Sequence, residues 1–393
     1  MIERSGNVGR ILRAMALCGF AVALAASPCR AERLSLTAGL GAQTMYNDNV
    51  HLKDEEDFEH KLEPSLELDY GQEDWNLFAG AVYSIYRYDT LDELDHEDLS
   101  LRAGGSMQPS ERLGLGLETS YNKDYTFQSV LEESGDIGVY VLRETMSAAP
   151  TVNWTLSEKD QLTFSVPVTF VEFQGDQRPD AEFYGANVYW SHLLDNERTR
   201  LLFSADWTER YYDTTTGDIN QDVYTVMGGM GYQLTELLTL EIMAGGGYTD
   251  SITTRTGLPD YKNDDTFFSF DIAATYAWDR WTFTLSGDRQ QSPNTSGDSN
   301  LRTRIRFNGN YKFSERFQGT LDFAVYENVT KGIDSKTEKL TYSVQPRLKY
   351  QLTEDLDLQL SYKFLEIENQ TTHKVDQQNR CFLGLEYHYN DVF

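Results

Sequence analysis

Cysteine and long apolar runs are both scarce in this sequence, and each scarcity excludes a class of fold. Three cysteines occur among 393 residues, and two of them, Cys18 and Cys29, lie within the first 31 positions. Only Cys381 follows that segment, so a framework of intramolecular disulfides is excluded there. Past residue 31 no apolar stretch approaches the ~20 residues that a membrane-spanning helix needs. The sequence therefore predicts a fold without cross-links and without spanning helices.

Basic residues are also in short supply. The chain has 34 Lys and Arg against 62 Asp and Glu, a formal net charge of −28, and this acidity argues against nucleic acid as a partner. Only 40% of the residues are hydrophobic, which together with high charge is typical of disorder. The 24 Tyr and 20 Phe argue against disorder. A membrane β-barrel accommodates both observations, because half of its strand residues face water and aromatic residues line its interfaces.

The first 31 residues have the organisation of an export signal. Arg10 and Arg13 precede an apolar run over 14–26, and a small-residue site ends at Ala31. A basic start, a short apolar core and a small-residue exit are typical of a secretory signal peptide. We therefore expect residues 1–31 to be a cleaved leader and residues 32–393 to form one domain.

Strict alternation of apolar and polar residues dominates the remainder of the chain. It is clearest from Thr266 to Trp278, where every second residue is apolar, and it resumes after a tight turn at Trp281. Such a period of two predicts strands with one apolar and one polar face. The paired tryptophans flanking the turn are typical of an interfacial girdle. The apolar face of this first strand consists of Phe268, Phe270, Ile272, Ala274, Tyr276 and Trp278.

The same unit recurs along the chain with two kinds of connector. Short turns, such as 235–237 and 314–316, alternate with longer polar segments, such as 48–60 and 126–138. We count about 18 strands, and 16 also fits the pattern. The predicted fold class is all-β: a transmembrane antiparallel up-and-down β-barrel with short periplasmic turns and longer extracellular loops. The alternatives are a soluble β-sandwich, which would need a second core, and a β-helix, which would show a fixed short repeat.

The last strand ends on an aromatic residue, Phe393. This ending resembles that of Gram-negative outer-membrane barrels, where the final residue acts as an assembly signal. Asp391 departs from that pattern, because another aromatic residue is usual at its position. The resemblance implies an outer-membrane location, with outer-membrane lipid, lipopolysaccharide and the barrel-assembly machinery as partners.

Charged residues on the inward parity of the predicted strands are the candidate functional residues. Arginine suits carboxylate and phosphate groups because its planar fork binds them bidentately, and opposed charged walls would create a transverse field across a lumen. The alternative is a structural network of Arg–Glu pairs that fills the barrel. The predicted cationic wall consists of Arg302, Arg304, Arg306, Lys312, Arg347 and Lys349, and the predicted acidic wall of Glu63, Glu67 and Asp69.

Motifs for catalysis or metal binding are missing from the sequence. No nucleophile elbow, zinc-protease pattern or phosphate-binding loop occurs, and the six histidines are scattered. We therefore predict neither an enzyme nor a cofactor or metal site. The acidic segments 48–60 and 89–98 are rich in ligands of the kind Ca²⁺ prefers, but a solvated rim is the favoured interpretation. The third long connector, 126–138, lies where diffusion porins fold a constriction loop inward.

A short motif near the start of the barrel adds a family resemblance. The sequence from Tyr46 to Val50, Y-N-D-N-V, resembles the end of the first strand in putative β-barrel porin families. Several members accompany exopolysaccharide or capsule secretion machinery. The resemblance implies an outer-membrane conduit without catalytic residues, which passes a polysaccharide delivered by a periplasmic polysaccharide-export protein or by an inner-membrane partner. From its composition alone, the run Asn47–Asn49 is expected to end the strand and begin a turn.

Three functions remain open on this basis. The first is export of an extracellular polysaccharide across the outer membrane. The second is a general or anion-preferring diffusion porin for small solutes, and the third is a surface-structural barrel with a blocked lumen. A barrel of about this strand number can hold an aqueous channel, and planar-bilayer conductance separates the first two functions from the third.

Overall fold

A closed antiparallel barrel is the architecture of the chain. The computed structural model describes residues 33–126, 140–175, 178–214, 217–255, 257–293, 298–332 and 336–392. Each strand pairs with its neighbours in sequence, and β1 pairs with both β2 and β19, which closes the ring. Closure gives every backbone N–H and C=O of a lipid-exposed strand a partner. The strands are β1 Arg33–Asn47, β2 Asp57–Gln72, β3 Trp75–Tyr88, β4 His96–Ser110, β5 Leu113–Tyr125, β6 Leu142–Thr155, β7 Asp160–Ser165, β8 Val168–Phe173, β9 Asp180–Leu193, β10 Thr199–Thr214, β11 Gly217–Gln233, β12 Leu238–Arg255, β13 Tyr261–Trp278, β14 Trp281–Ser292, β15 Ser299–Lys312, β16 Phe317–Lys331, β17 Lys336–Gln351, β18 Leu356–Asn369 and β19 Lys374–Val392.

The segments β7 and β8 are two parts of one strand. Both pair with β6 on one side and β9 on the other, and the register continues unchanged across the gap. Pro167 lies in the gap, and proline has no N–H to contribute to the ladder. The ring therefore has 18 positions, and the predicted all-β barrel with 18 strands is confirmed.

Large apolar side chains cover the outside of the barrel. Leu66, Phe268, Ile305 and Leu360 are about half exposed, and the exposed large apolar residues far outnumber the buried ones in the described part of the chain. A water-soluble protein rarely leaves so much apolar surface uncovered, whereas lipid requires it. Among the described residues, no helix is long and apolar enough to cross a membrane.

An aromatic girdle follows one edge of this apolar surface. The Trp281 ring stacks on Tyr311 with centroids 4.0 Å apart, and Phe313 contacts both Tyr311 and Phe317 at 4.7 Å. Trp278 and Trp281 pair directly across the turn. The predicted role of this pair as part of an aromatic belt is therefore supported by neighbouring strands that supply the same kind of side chain.

The two ends of the barrel differ in their connectors. We call the end that holds Arg33, Val392 and the short turns the turn rim, and the opposite end the loop rim. Several loop-rim connectors are shorter than predicted, because strand pairing continues through segments that we expected to be loops. Thr214 still pairs with Gly217, and Thr253 with Tyr261. These segments are polar because such hairpins extend beyond the apolar belt, and polar composition alone did not distinguish them from loops.

The two ends of the chain fall outside the described residues. The predicted leader, 1–31, lies at one end, and Phe393, the expected assembly signal, lies at the other. Both stay predictions.

The assignment of side chains to the lipid side or the lumen side can be tested with one pair of substitutions on β14. Leu285 lies on the lipid side and is 45% exposed, whereas Thr284 lies on the inner side among polar groups. We expect Leu285→Arg to reduce the free energy of unfolding by about 2–4 kcal/mol, since a cation near the bilayer midplane loses its hydration. Thr284→Arg should change it little. Denaturant titration in lipid vesicles measures both, and equal costs would contradict the assigned facing.

Candidate functional site

All nine residues of the two predicted walls lie on the inner parity of their strands. On β15, Arg304 pairs across the ladder with Asp288, while the neighbouring Ile305 is 46% exposed on the lipid side. The same alternation holds for Glu67, between the exposed Leu66 and Leu68. Side chains on alternate positions of a strand face opposite sides. The alternation of the sequence therefore gives the same parity as the strand pairing, and the role of these charges as walls of a pore stays a prediction.

The cationic wall is partly neutralised by local acids. The Arg304 Nε donates to Asp288 Oδ1 at 2.7 Å, and both side chains are less than a quarter exposed. Lys349 Nζ lies 2.8 Å from Asp357 and 3.5 Å from Glu386. These pairs agree with the structural interpretation of the charges.

Arg306 differs from these paired cations. It is exposed to the lumen, and its guanidinium lies 5.8 Å from the centre of the Tyr326 ring. Stacking of arginine on an aromatic ring orients the planar fork while leaving its edges available for hydrogen bonds. Arg306 is therefore the predicted wall residue best placed to contact a solute.

The acidic wall is likewise interspersed with cations. Glu63 forms an ion pair with Lys61 and accepts a hydrogen bond from Ser84 Oγ at 2.6 Å. Glu67 pairs with Arg102 on β4. Asp69 is exposed near the turn rim. Two of the three predicted acids, Glu63 and Glu67, are therefore compensated by neighbouring cations, and their role as an acidic wall stays a prediction.

The two walls do not face each other across the full diameter of the ring. From β17, the ring continues through β18, β19 and β1 to β2, which carries the predicted acids, so three strands separate the two walls on the shorter side. A field between them would therefore cross one side of the lumen instead of its full width. The separation of the two walls around the ring could not be read from their positions in the sequence, since the first and last strands become neighbours only when the barrel closes.

Two further cations belong to the basic sector. Lys363 on β18 pairs with Arg380 on β19, and Arg380 is only 3% exposed. Arg380 was missed as a candidate. The apolar positions that follow it on the same strand, Leu383, Leu385 and Tyr387, are exposed on the outer side, so Arg380 has the opposite, inward parity and the sequence carried the signal.

The first connector, residues 48–56, folds into the mouth of the barrel, and we call it loop 1. Asn49 Nδ2 donates to the backbone oxygen of Gln377 at 2.6 Å, and Gln378 Nε2 donates to the backbone oxygen of Asn49 at 2.7 Å. Asp48 accepts the backbone N–H of Asn379 at 2.7 Å. Residues of the Tyr46–Val50 motif therefore fasten loop 1 to β19. The predicted end of the strand at this motif is confirmed, because β1 ends at Asn47.

Leu52 anchors loop 1 inside the lumen. It is buried against Leu365 and Ile367, which are inward residues of β18, and Tyr140 packs against the same cluster. His51 and Leu52 both have positive φ values, 56° and 57°. This left-handed conformation costs about 1 kcal/mol or more per residue, so the burial of Leu52 offsets local strain. Apolar contact within a polar lumen marks loop 1 as a plug-like element.

An aromatic cluster connects loop 1 with the acidic sector. Tyr86 stacks on His96 at 4.3 Å, and Tyr125 stacks on Tyr140 at 4.5 Å. His96 contacts both Tyr125 and Tyr140, and His51 of loop 1 lies 5.3 Å from Tyr140. His51 and His96 are far apart in the sequence, but both contact Tyr140 because β3, β4, β5 and loop 1 share one corner of the loop rim.

The expected constriction by residues 126–138 lies almost wholly outside the described residues. Its flanks are described: Thr126 and Val141 are 3% and 6% exposed. Val141 donates its backbone N–H to Thr126 Oγ1 at 3.3 Å. The constriction itself stays a prediction.

A second element narrows the lumen from the far side. Arg210 on β10 is 5% exposed and donates to the backbone oxygen of Gln291 at 2.8 Å, although β10 and β14 are not neighbours in the ring. Arg210 also donates to Gln221 Oε1 at 3.1 Å. Pro293 lines a cavity of 680 Å³ together with residues of β3 to β10. The end of β14 is therefore held inward by a buried charge-assisted hydrogen bond.

One group of side chains has a composition suited to a metal ion. Ligand atoms of Asp357, Glu386 and His388 lie within 4.8 Å of one another. Lys349 already contacts both carboxylates. A metal would have to displace this ammonium, so the group is better described as an ion-pair network near the turn rim.

Loop 1 should respond to acid through His51. Burial, with the charges of Lys53 and His96, lowers the pKa of His51 to about 4. The ordinary histidine pKa is about 6.5, so docking is fully stable above that pH and weakens as the pH falls toward 4. We expect single-channel conductance in planar bilayers to rise as the pH is lowered from about 6.5 to about 4, because loop 1 then leaves the mouth of the barrel. His51→Gln should remove the rise, and an unchanged pH profile in that variant would contradict the assignment.

Comparison with known proteins supports the fold. No family model matches the sequence, and no curated protein matches it. The ferric citrate transporter FecA in its unliganded form is similar with a TM-score of 0.51 and 10% identity, over 86% of this chain and 60% of that chain. The outer membrane protein opdK from Pseudomonas aeruginosa is similar with a TM-score of 0.47 and 11% identity, over 92% of this chain and 99% of that chain. A BenF-like porin from Pseudomonas fluorescens Pf-5 is similar with a TM-score of 0.47 and 10% identity, over 92% of this chain and 99% of that chain. The chain thus shares its fold with a solved transporter, and at this identity the likeness concerns the fold alone.

Proposed function

We propose that the protein is an outer-membrane conduit that exports an anionic extracellular polysaccharide. Its loop rim would face outward and its turn rim the periplasm. The proposal includes a cleaved leader at residues 1–31 and assembly through the terminal Phe393. It also includes outer-membrane lipid, lipopolysaccharide, the barrel-assembly machinery and a periplasmic polysaccharide-export protein as partners, and no catalytic role.

The distribution of cations along the barrel is the observation that carries the proposal. On β15 alone, Arg302, Arg304 and Arg306 lie toward the loop rim and Lys312 lies at the turn rim. This stretch of strand covers about 33 Å at ~3.3 Å per residue. A compact anion needs favourable contacts at one constriction, whereas a polyanion gains from contacts repeated over the length of the lumen. The lengthwise track therefore favours a polymer.

A diffusion porin for small anionic solutes is the second candidate. The position of loop 1 favours this porin, because Leu52 and its partners occupy part of the mouth and leave less room for a polymer. In that case the cations would select anions by charge alone. A barrel with a blocked lumen is separated from both candidates by planar-bilayer conductance, since only a blocked barrel gives none.

Export and diffusion are distinguished by a deletion strain with plasmid-borne variants. We expect deletion to abolish surface polysaccharide while uptake of small solutes survives, and the wild-type gene to restore it. Arg302→Ser/Arg304→Ser/Arg306→Ser should restore it poorly. Arg112→Ser/Arg280→Ser/Arg316→Ser removes equal charge from the short turns and should restore it fully. Normal polysaccharide with impaired solute uptake in the deletion strain would contradict export and favour the porin.

A further inference from the structure

The inner wall between β14 and β19 contains a cavity of 440 Å³. Its floor is formed by two small residues, Ala324 on β16 and Ser343 on β17, which are directly paired in the ladder. Neighbouring inward positions on these strands carry larger side chains, among them Tyr326 and Gln345. The cavity therefore exists because two adjacent strands place small residues at the same height.

Cations border this floor on both sides. Arg306 pairs with Ala324 from β15, and Lys363 and Arg380 lie beyond Ser343 on β18 and β19. Three strand spacings separate β15 from β18, about 14 Å between backbones. Asp322 is the one acid among the described residues that line the cavity, and Asn308 Nδ2 donates to it at 2.6 Å.

Neutral polar groups and Leu365 make up much of the remaining lining. Thr284, Ser286 and Ser343 supply hydroxyl groups, and Gln345 supplies an amide. Hydroxyl and amide groups can both donate to and accept from the hydroxyl groups of a sugar. Arginine beside such groups matches a carboxylate through its paired N–H donors. The combination suits a ligand with one negative charge and several hydroxyl groups.

We propose that this cavity is a binding subsite for a carboxylated sugar unit, with Arg306 and Lys363 holding the carboxylate. The subsite rests on the proposed function in that it identifies the exported polymer as one containing uronic acid. In that role each sugar unit pauses in the cavity as the chain advances. Binding itself requires only the folded barrel, so it can be measured without export.

Filling the floor is the sharpest test, because it leaves every charge in place. We expect detergent-purified protein to bind oligogalacturonate in calorimetry, and Ala324→Phe to weaken that binding at least about tenfold, since the ring would occupy the space between the cations. Ala149→Phe makes the same exchange on the inner face of β6, outside the cavity, and should bind normally. Heat-modified migration on gels checks folding. If Ala324→Phe does not fold, Arg306→Met/Lys363→Met should show the same loss.

Two competing ligands separate the parts of the proposal. Maltohexaose has the hydroxyl groups without the carboxylate, and inorganic phosphate has the charge without the sugar. Both should bind at least about tenfold more weakly than oligogalacturonate, because each satisfies only part of the lining. Equal binding of either ligand, or undiminished oligogalacturonate binding by a folded Ala324→Phe protein, would overturn the subsite. Tight binding together with normal polysaccharide in the deletion strain would instead leave the subsite standing and remove the proposed function.

Discussion

Replacing Arg302, Arg304 and Arg306 together with serine should lower the ratio of anion to cation permeability about three- to tenfold at low salt. Each arginine contributes about 0.5 kcal/mol to the potential felt by an ion several ångströms away in water, and 1.4 kcal/mol corresponds to a factor of ten. Loss of Arg304 also leaves Asp288 without its 2.7 Å partner, which adds a negative charge to the lumen. Reversal potentials across planar bilayers under a KCl gradient measure the ratio.

The control for this experiment removes equal charge from the turn rim. Arg112, Arg280 and Arg316 lie in short turns, where salt screens their effect on the lumen. Their replacement by serine should shift the ratio far less. The shift in the lumen variant should also shrink at 1 M salt, where the screening length is about 3 Å. Equal shifts in the two variants would remove the arginines from the ion pathway.

Replacing residues 50–55 of loop 1 with two glycines should raise single-channel conductance about twofold or more, because the narrowest cross-section of a pore limits ion flow. The deleted segment contains Leu52, which is buried against the inward Leu365 and Ile367. It also contains the strained His51. Asn47, Asn49 and Asp57 are retained, so the Asn49 N–H still donates to Asn47 and the Thr90 N–H still donates to Asp57.

A second loop provides the matched control for this deletion. Residues 257–260 connect β12 and β13 at the loop rim, and Leu258 is 59% exposed. Replacing these four residues with two glycines shortens a connector without touching the lumen, and conductance should stay at the wild-type value. Unchanged conductance in the loop 1 variant would show that loop 1 does not narrow the pathway. A rise in both variants would point to a general loosening of the rim.

Strand order and facing were predictable because each depends on a short segment of sequence. The alternation from Phe268 to Trp278 assigns a lipid side and a lumen side without knowledge of the neighbours. The sheet then follows sequence order, since short connectors make consecutive strands adjacent. The inward position of Arg302, Arg304 and Arg306 needed no further information.

The features that shape the lumen depend on contacts between distant segments. Leu52 finds Leu365 and Ile367 only after the ring closes, and no local pattern links these positions. The cavity floor likewise requires Ala324 and Ser343 to be paired by register. Either residue alone is an unremarkable inward position. Sequence alternation therefore predicts which residues face the lumen but not where the lumen is wide or narrow.

The motif from Tyr46 to Val50 shows the same division. Its turn-forming residues predicted the end of β1, which is confirmed at Asn47. Its hydrogen bonds to residues 377–379 of β19 were not predictable, because they depend on closure between the first and last strands. The structure thus gives the motif a second role, holding loop 1 against the barrel wall.

Cysteine scanning of β15 tests most directly whether one side of each strand meets lipid and the other a water-filled lumen. In a Cys381→Ser background, since Cys381 is exposed, single cysteines would replace each residue from Leu301 to Tyr311 in lipid vesicles. We predict that a charged, water-soluble maleimide labels only the even positions, and that a lipid-borne quencher reaches only fluorophores attached at the odd positions with an apolar maleimide. Labelling that lacks this period of two, or that favours the odd positions, would contradict it.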